Sequence, residues 1–255
     1  MLTLGGDGTV NEAVNGILET GLPAAQAPAL AALPGGSANV FAGALRMPRD
    51  PVDATGQVLR ALAEHRERTI GLGLAGERYF TFNSGLGLDA EVVRAVQGLR
   101  AHGRPVTPSL YVRLALRQFY RQTDRSQPSI VIELHDGLDV GPVFMGIVSN
   151  TAPWTYLGRR EVHATPLADF DSGLDVLALG TMSSLSTLRL IGQMLTAKGG
   201  NTPSVGGRRT LSFHDQESVT LRASRPVAFQ IDGEYVGERE VVTFRSVPCA
   251  LRVVA

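Results

Sequence analysis

The sequence is 255 residues long, 44% hydrophobic and 19% charged, which excludes disordered and fibrous chains and leaves room for one large core or two modest ones. Its 24 basic residues balance its 24 acidic ones, so no overall field draws the chain to nucleic acid and any anion must be held locally. The single cysteine, Cys249, allows no internal disulfide, and the histidines lack zinc-site spacing. No run reaches the roughly 18 apolar residues of a membrane span and no basic, then apolar, leader opens the chain, so a cytoplasmic protein is expected.

In chain order, Leu2-Thr3-Leu4 predicts a short strand that breaks at Gly5-Gly6-Asp7-Gly8. Thr9 and Glu12 have the spacing of a capping box, and Val10, Ala13, Val14, Ile17 and Leu18 then recur at helical intervals. The unit repeats, with a buried strand over 28–33, a turn at Pro34-Gly35-Gly36-Ser37 and a helix over 38–45. A further helix over 50–65 has Val52, Leu59 and Leu62 as its apolar positions. This is an α/β pattern with parallel strands.

From about Arg66 the texture changes to short alternating strands, over 69–75, 79–83, 130–135, 143–148, 175–179, 210–214, 219–223, 227–231 and 241–245. Helices are expected over 89–99, 110–123 and 185–197. The fold class is therefore α/β plus β: an α/β domain over 1–65, then a β-rich domain over 66–255. A first lobe of that size with two obvious strands is marginal by itself, so it is expected either to continue upstream of Met1 or to lean on the second domain.

Both glycine turns precede helices, where unpaired N–H groups and the helix dipole attract an anion. Gly5, Gly6 and Gly8 would let a backbone approach phosphate closely, and Ser37 and Asn39 would add donors. One such loop reads first as a tight turn; two in series favour a phosphate site. Neither has the Walker ending nor the dinucleotide pattern. Asp7 would repel phosphate unless a cation intervenes, so it points to Mg²⁺ or to a proton-accepting role, with a turn or N-cap aspartate as the plain alternative.

Five blocks carry a resemblance. They are Gly5-Gly6-Asp7-Gly8-Thr9 with Asn11-Glu12 and Asn15-Gly16; Leu33-Pro34-Gly35-Gly36-Ser37-Ala38-Asn39 with Phe41-Ala42; Asn83-Ser84-Gly85-Leu86-Gly87-Leu88-Asp89-Ala90; Phe170-Asp171-Ser172-Gly173-Leu174-Asp175-Val176; and Gln230-Ile231-Asp232-Gly233-Glu234. In order and spacing the chain resembles the diacylglycerol kinase catalytic domain family, in the branch that holds bacterial lipid kinases and sphingosine kinases. The resemblance implies a partial N-terminal α/β nucleotide-binding domain over 1–65 and a C-terminal β-sandwich over 66–255 with a cleft between them, ATP phosphates at Gly5, Gly6, Gly8 and Thr9 and at Gly36, Ser37 and Asn39, and Mg²⁺ neutralising the transferred group. It places Asp232 and Glu234 in that cleft, where a carboxylate takes the acceptor hydroxyl's proton. As residues i and i+2 of an extended segment the two would face one side. Without the resemblance, Asp232-Gly233 reads as a hairpin turn.

Glu234 is the expected base, with Asp232 and Asp7 completing the catalytic set and Asp7 a metal ligand. Some relatives hold a structural Mg²⁺ near an Asp-Gly turn, which makes Asp171 a second metal candidate although its acid is shifted by one. Val40 stands where the family has a carboxylate, and relatives carry roughly a further third to half of a nucleotide domain before this point, including a strand ending in Asn-Pro.

The function expected is an ATP- and Mg²⁺-dependent lipid kinase acting on a lipid hydroxyl such as diacylglycerol at a membrane surface, cytoplasmic or peripheral, with a homodimer as a further option. The alternatives are an NAD kinase-like phosphorylation of ribose and a non-catalytic nucleotide- or lipid-binding regulator. Arg113, Arg117, Arg121 and Arg125, four apart, offer a contact with an anionic membrane or a solvated helix face. Trp154 and Tyr156 offer an interfacial anchor, a lipid-pocket wall or ordinary loop packing.

Overall fold

In the computed structural model, which describes residues 1–101, 110, 113, 114, 117, 118, 127–200, 205–207 and 210–254, the first lobe is built on two parallel strands. β1 (Leu2–Gly5) pairs with β2 (Ala31–Pro34), so the two glycine turns leave the same sheet edge together. Helix α1 (Asp7–Leu18) buries Val10, Val14 and Ile17, and the short α2 (Val40–Ala44) buries Phe41. Helix α3 (Pro51–Ala63) starts with proline at its first turn, and Asp50 caps it by accepting from the N–H groups of Val52 and Asp53. It turns Ala54, Val58 and Ala61 inward, while Val52, Leu59 and Leu62, the positions expected to be its buried face, are exposed. Small side chains at intervals of four and three let the helix sit close on the sheet.

The expected capping box does not form. Gly6 is the N-cap without a side-chain bond, and Thr9 lies inside the first turn. Glu12 pairs with Arg78 of the second lobe instead of reaching back to its own helix end.

The second lobe is an antiparallel sheet of strand order β12-β11-β8-β5-β13-β14-β3-β4. Its strands are β3 (Glu67–Ala75), β4 (Arg78–Phe80), β5 (Asn83–Gly87), β6 (Ile130–Leu134), β7 (Asp139–Val143), β8 (Met145–Ser149), β11 (Leu174–Leu179), β12 (Thr210–Gln216), β13 (Ser218–Ile231) and β14 (Glu234–Val254). β6 pairs with the first half of β13 and with β7, and β5 pairs with its second half. A register shift between Arg222 and Val227 bends β13 between those partners, so the expected strands 219–223 and 227–231 are one long strand. The sheet closes over Ile132, Val148, Val176, Leu221 and three edge-on rings, Phe80, Phe229 and Phe244. A small hairpin of β9 (Thr155–Leu157) and β10 (Arg160–Val162), which the sequence pattern did not suggest, and helices α4 (Leu88–Ala101) and α5 (Ser184–Thr196) complete the lobe. Most of the expected helix over 110–123, with Arg121 and Arg125, lies outside the described residues.

The last strand crosses back to the first lobe. Leu30 N–H donates to the carbonyl of Arg252 and Val254 N–H to the carbonyl of Leu30, which sets the chain's end alongside β2. Leu251, Val253 and Val254 then pack in one core with Val14, Leu30, Phe41 and Val58, together with Ile70 and Leu72 of β3.

Candidate active site

The two glycine turns meet backbone to backbone. A Cβ on Gly35 would lie 2.9 Å from the nitrogen of Gly5, and one on Gly36 would strike the Cα of Gly6. Glycine is therefore required here for the turns to touch each other, before any ligand is considered. Asp7, at the start of α1, spans the junction: its Oδ1 accepts from Phe41 N–H of α2 at 3.1 Å. Burial pushes its pKa up to about 6 against the pull of the Phe41, Val40 and Asn39 N–H groups, and the charge of Asp232 raises it further. Asn39 serves its own turn. In the left-handed conformation, φ 52°, it accepts from Gly36 N–H at 2.7 Å and donates to the Gly36 carbonyl at 2.9 Å.

The acidic pair comes from the other lobe. Asp232 and Gly233 both have positive φ, 47° and 75°, and form a two-residue turn in which Ile231 pairs with Glu234. The hairpin and the cleft thus coexist, and the expectation of an extended segment with both carboxylates facing one side is overturned. Asp232 is buried. Its Oδ2 accepts from Thr81 N–H, Thr81 Oγ1 and Asn11 Nδ2 at 2.8, 2.9 and 2.8 Å. Its Oδ1 accepts from Phe82 and Asn83 N–H at 3.0 and 3.2 Å. Burial, the larger effect, pushes its pKa up, opposed by these donors. Asn11 also donates to the carbonyl of Tyr79 and accepts from Arg78, and Asn15 exchanges hydrogen bonds with the Tyr79 backbone, so α1 is fastened to β4 beside the turn.

Glu234 points the other way, across the cleft. Its carboxylate occupies the space that a side chain at Gly8 would need. An exposed carboxylate on the β lobe therefore faces the first turn of α1 directly.

Between the lobes lies a cavity of about 470 Å³, lined by Gly6, Asp7, Gly8, Thr9, Gly36, Ser37, Asp232 and Glu234 of the residues expected from sequence. Gly5, Asn39 and Asp171 do not line it. Gly5 is covered by the Thr9 side chain, Asn39 closes its turn, and Asp171 is exposed in the loop before β11. Among the described residues no three His, Cys, Asp or Glu side chains gather as a metal cluster, at Asp171 or elsewhere.

The sequence reading missed Asp89, Gln230 and Gln97. Asp89 lies in the first turn of α4, buried in the cavity wall, and burial pushes its pKa up to about 6. Gln230 Nε2 donates to Asp89 Oδ2 and to Asn83 Oδ1, each at 2.9 Å, while its Oε1 accepts from Gly233 N–H. Gln97 Oε1 accepts from Tyr235 N–H, so α4 holds the acidic hairpin at both ends. Asp89 stands within one of the quoted blocks, where its place behind a strand was the available signal. Trp154 also lines the cavity, with Val93, Val96 and Phe82. Among the described residues, four of those lining the cavity are acidic and none is Lys or Arg.

Two strand-turn-helix units thus face a carboxylate of the β lobe across the cavity. Residues 1–74 match the model of the diacylglycerol kinase catalytic domain. The chain is 41% identical over 91 residues to the "probable lipid kinase YegS-like" of Chromohalobacter salexigens, a stretch covering 36% of this chain and 27% of that relative. It is 25% identical over 243 residues to the diacylglycerol kinase of Bacillus subtilis, covering 93% of this chain and 71% of the relative. A crystal structure of a diacylglycerol kinase from Bacillus anthracis superposes with a TM-score of 0.68 at 15% identity, over 99% of this chain and 75% of that one, a likeness of fold. Residues 1–74 are thus similar to the diacylglycerol kinase catalytic domain, and the rest of the chain aligns at low identity with relatives named diacylglycerol kinase.

Proposed function

We propose that the cleft transfers the γ-phosphoryl group of ATP to a hydroxyl of an amphiphilic lipid such as diacylglycerol. The observation that carries this reading is the Glu234 carboxylate set against Gly8, facing the first turn of α1 across a cavity that both glycine turns line. The acceptor oxygen attacks the γ-phosphorus, the bond from that phosphorus to the β–γ bridging oxygen breaks, ADP leaves, and the hydroxyl proton passes to Glu234. The N–H groups at the start of α1 bind phosphate oxygens, while in the second turn Gly36 N–H is taken by Asn39 and Asn39 N–H faces Asp7. Asp232, already saturated with hydrogen bonds, positions the hairpin that carries Glu234 and acts through it.

A triphosphate in a cavity whose lining, among the described residues, is acidic and has no lysine or arginine calls for added positive charge. The donor set suits Mg²⁺, which takes one or two carboxylates and fills its shell with phosphate oxygens and water. Asp7 would hold it, and the ion would neutralise charge on the transferred group. Asp171, outside the cavity, is left as a candidate for a separate structural ion. Val93, Val96, Phe82 and Trp154 supply apolar wall for an acceptor's hydrocarbon.

The test is a panel of acceptors with γ-labelled ATP: diacylglycerol and sphingosine in mixed micelles, and NAD in solution, each with Mg²⁺ and with chelator. Label is expected in a lipid and only with Mg²⁺. Label in NAD alone, or in no acceptor, would reject the reading.

A further inference from the structure

A kinase for lipids has to meet its acceptor at a bilayer, and one helix outside the cleft is built for that. Helix α5 turns Leu190 and Met194 into the core but presents Leu185, Leu188 and Ile191 to solvent, 81, 60 and 40% exposed. At positions i, i+3 and i+6 they form one stripe, with exposed Arg189 beside it and no acidic residue anywhere on the helix. The charge of the surrounding chain is one-sided too. From Val176 to His214 the sequence has Arg189, Lys198, Arg208 and Arg209 and no Asp or Glu, in a chain whose overall charge is zero. Arg208 and Arg209 lie outside the described residues. Arg160, exposed on β10, donates to the Leu195 carbonyl and adds a cation next to the helix's last turn.

Helix α3 also exposes an apolar set, Val52, Leu59 and Leu62, but it carries Asp53 and is capped by Asp50, which an anionic surface would repel. Charge therefore separates the two faces. Position agrees: the buried side of α5 packs in one cluster with Leu88 at the start of α4 and with Trp154, and Trp154 lines the cavity.

We propose that α5 is the element on which this protein docks to an anionic lipid bilayer, with Leu185, Leu188 and Ile191 entering the interface and Arg189, Lys198 and Arg160 meeting the headgroups. The proposal deepens the lipid-kinase reading and rests on it for the identity of the surface.

Co-sedimentation of the full chain with vesicles tests it, using phosphatidylcholine alone and an equal mixture with phosphatidylglycerol, without nucleotide. Binding is expected to the mixed vesicles and to fall on raising salt. Leu188→Ser with Ile191→Ser should lower the partition coefficient about tenfold or more without moving the thermal midpoint, because both side chains are exposed. Arg189→Glu should weaken binding to the mixed vesicles and not to phosphatidylcholine. Undiminished binding by the double variant, or no vesicle binding by the native chain, overturns the proposal. So does a dimer in sedimentation velocity that the double variant dissolves, since a second copy would then cover the stripe. Native vesicle binding lost in the double variant, by a protein that phosphorylates no lipid, supports the docking face while removing the kinase reading.

Discussion

At Gly8 a side chain is missing because a carboxylate from 226 residues further along the chain fills its place. The relation between Gly8 and Glu234 is a packing one, so it can be broken from either side. Gly8→Ala should push Glu234 out of line and lower kcat about 100-fold, the scale of a displacement near 1 Å at a reacting centre. Its thermal midpoint should hold within a few degrees, and steady-state kinetics beside a melting curve check both. Asp7 gives a second test at this scale. With its pKa raised to about 6, it is protonated below that pH and ionised above it, and only the ionised form holds a cation. The kcat/KM profile should therefore rise through about pH 6 in the native protein, and in Asp7→Asn that limb should vanish into uniformly low activity. The glycines and Asp7 stood out in the sequence, but their partners did not. That Gly6 touches Gly36, and that Gly8 yields to Glu234, depends on two lobes meeting, which no local pattern encodes.

The acidic hairpin is the element on which the site turns. Asp-Gly between β-forming residues announced the turn, and the family resemblance alone suggested a catalytic pair at Asp232 and Glu234. What could not be read was that the left-handed Asp232 points inward, onto the N–H groups of Thr81, Phe82 and Asn83, while Glu234 points outward. Asp232 thus does for the β4–β5 junction what a cap does for a helix. In Asp232→Asn one acceptor oxygen becomes a donor facing donors. The expected cost is about 3 kcal/mol, in the range for breaking a buried charged hydrogen-bond set, and urea unfolding would measure it. A loss of activity with unchanged stability would instead make Asp232 a participant in the chemistry. Helix α3 shows the opposite kind of misreading. Its large apolar residues suggested the buried face, yet close packing on the sheet selected Ala54, Val58 and Ala61.

On the scale of the whole molecule, the change from helix–strand alternation to short strands at about Arg66 was legible, and so was the order of most elements. The return of β14 to Leu30 was not, because it joins residues at opposite ends of the chain. It gives the first lobe one parallel bridge and part of its core, so the two lobes should unfold in one transition, seen alike by near- and far-ultraviolet circular dichroism. Buried Asp89 also acts at this scale. Its pKa is raised from 3.8 to about 6, so folding favours its neutral form. Its contribution is best below pH 4 and is lost as pH climbs to about 6, a penalty of roughly 3 kcal/mol at neutral pH by linkage. Asp89→Asn should remove that penalty, raising stability at pH 7.5 and leaving it little changed near pH 4.

The account stands on Glu234 taking the acceptor proton from across the cleft while the glycine turns hold the nucleotide. The most direct measurement compares the native protein and Glu234→Gln in single turnovers with γ-labelled ATP and diacylglycerol. MgATP binding would be followed in parallel through the fluorescence of Trp154, the chain's one tryptophan, on the cavity wall. The predicted result is a rate lowered about 100- to 10,000-fold with the binding titration unchanged. A variant that turns over at the native rate, or a native protein whose fluorescence ignores MgATP, would contradict it.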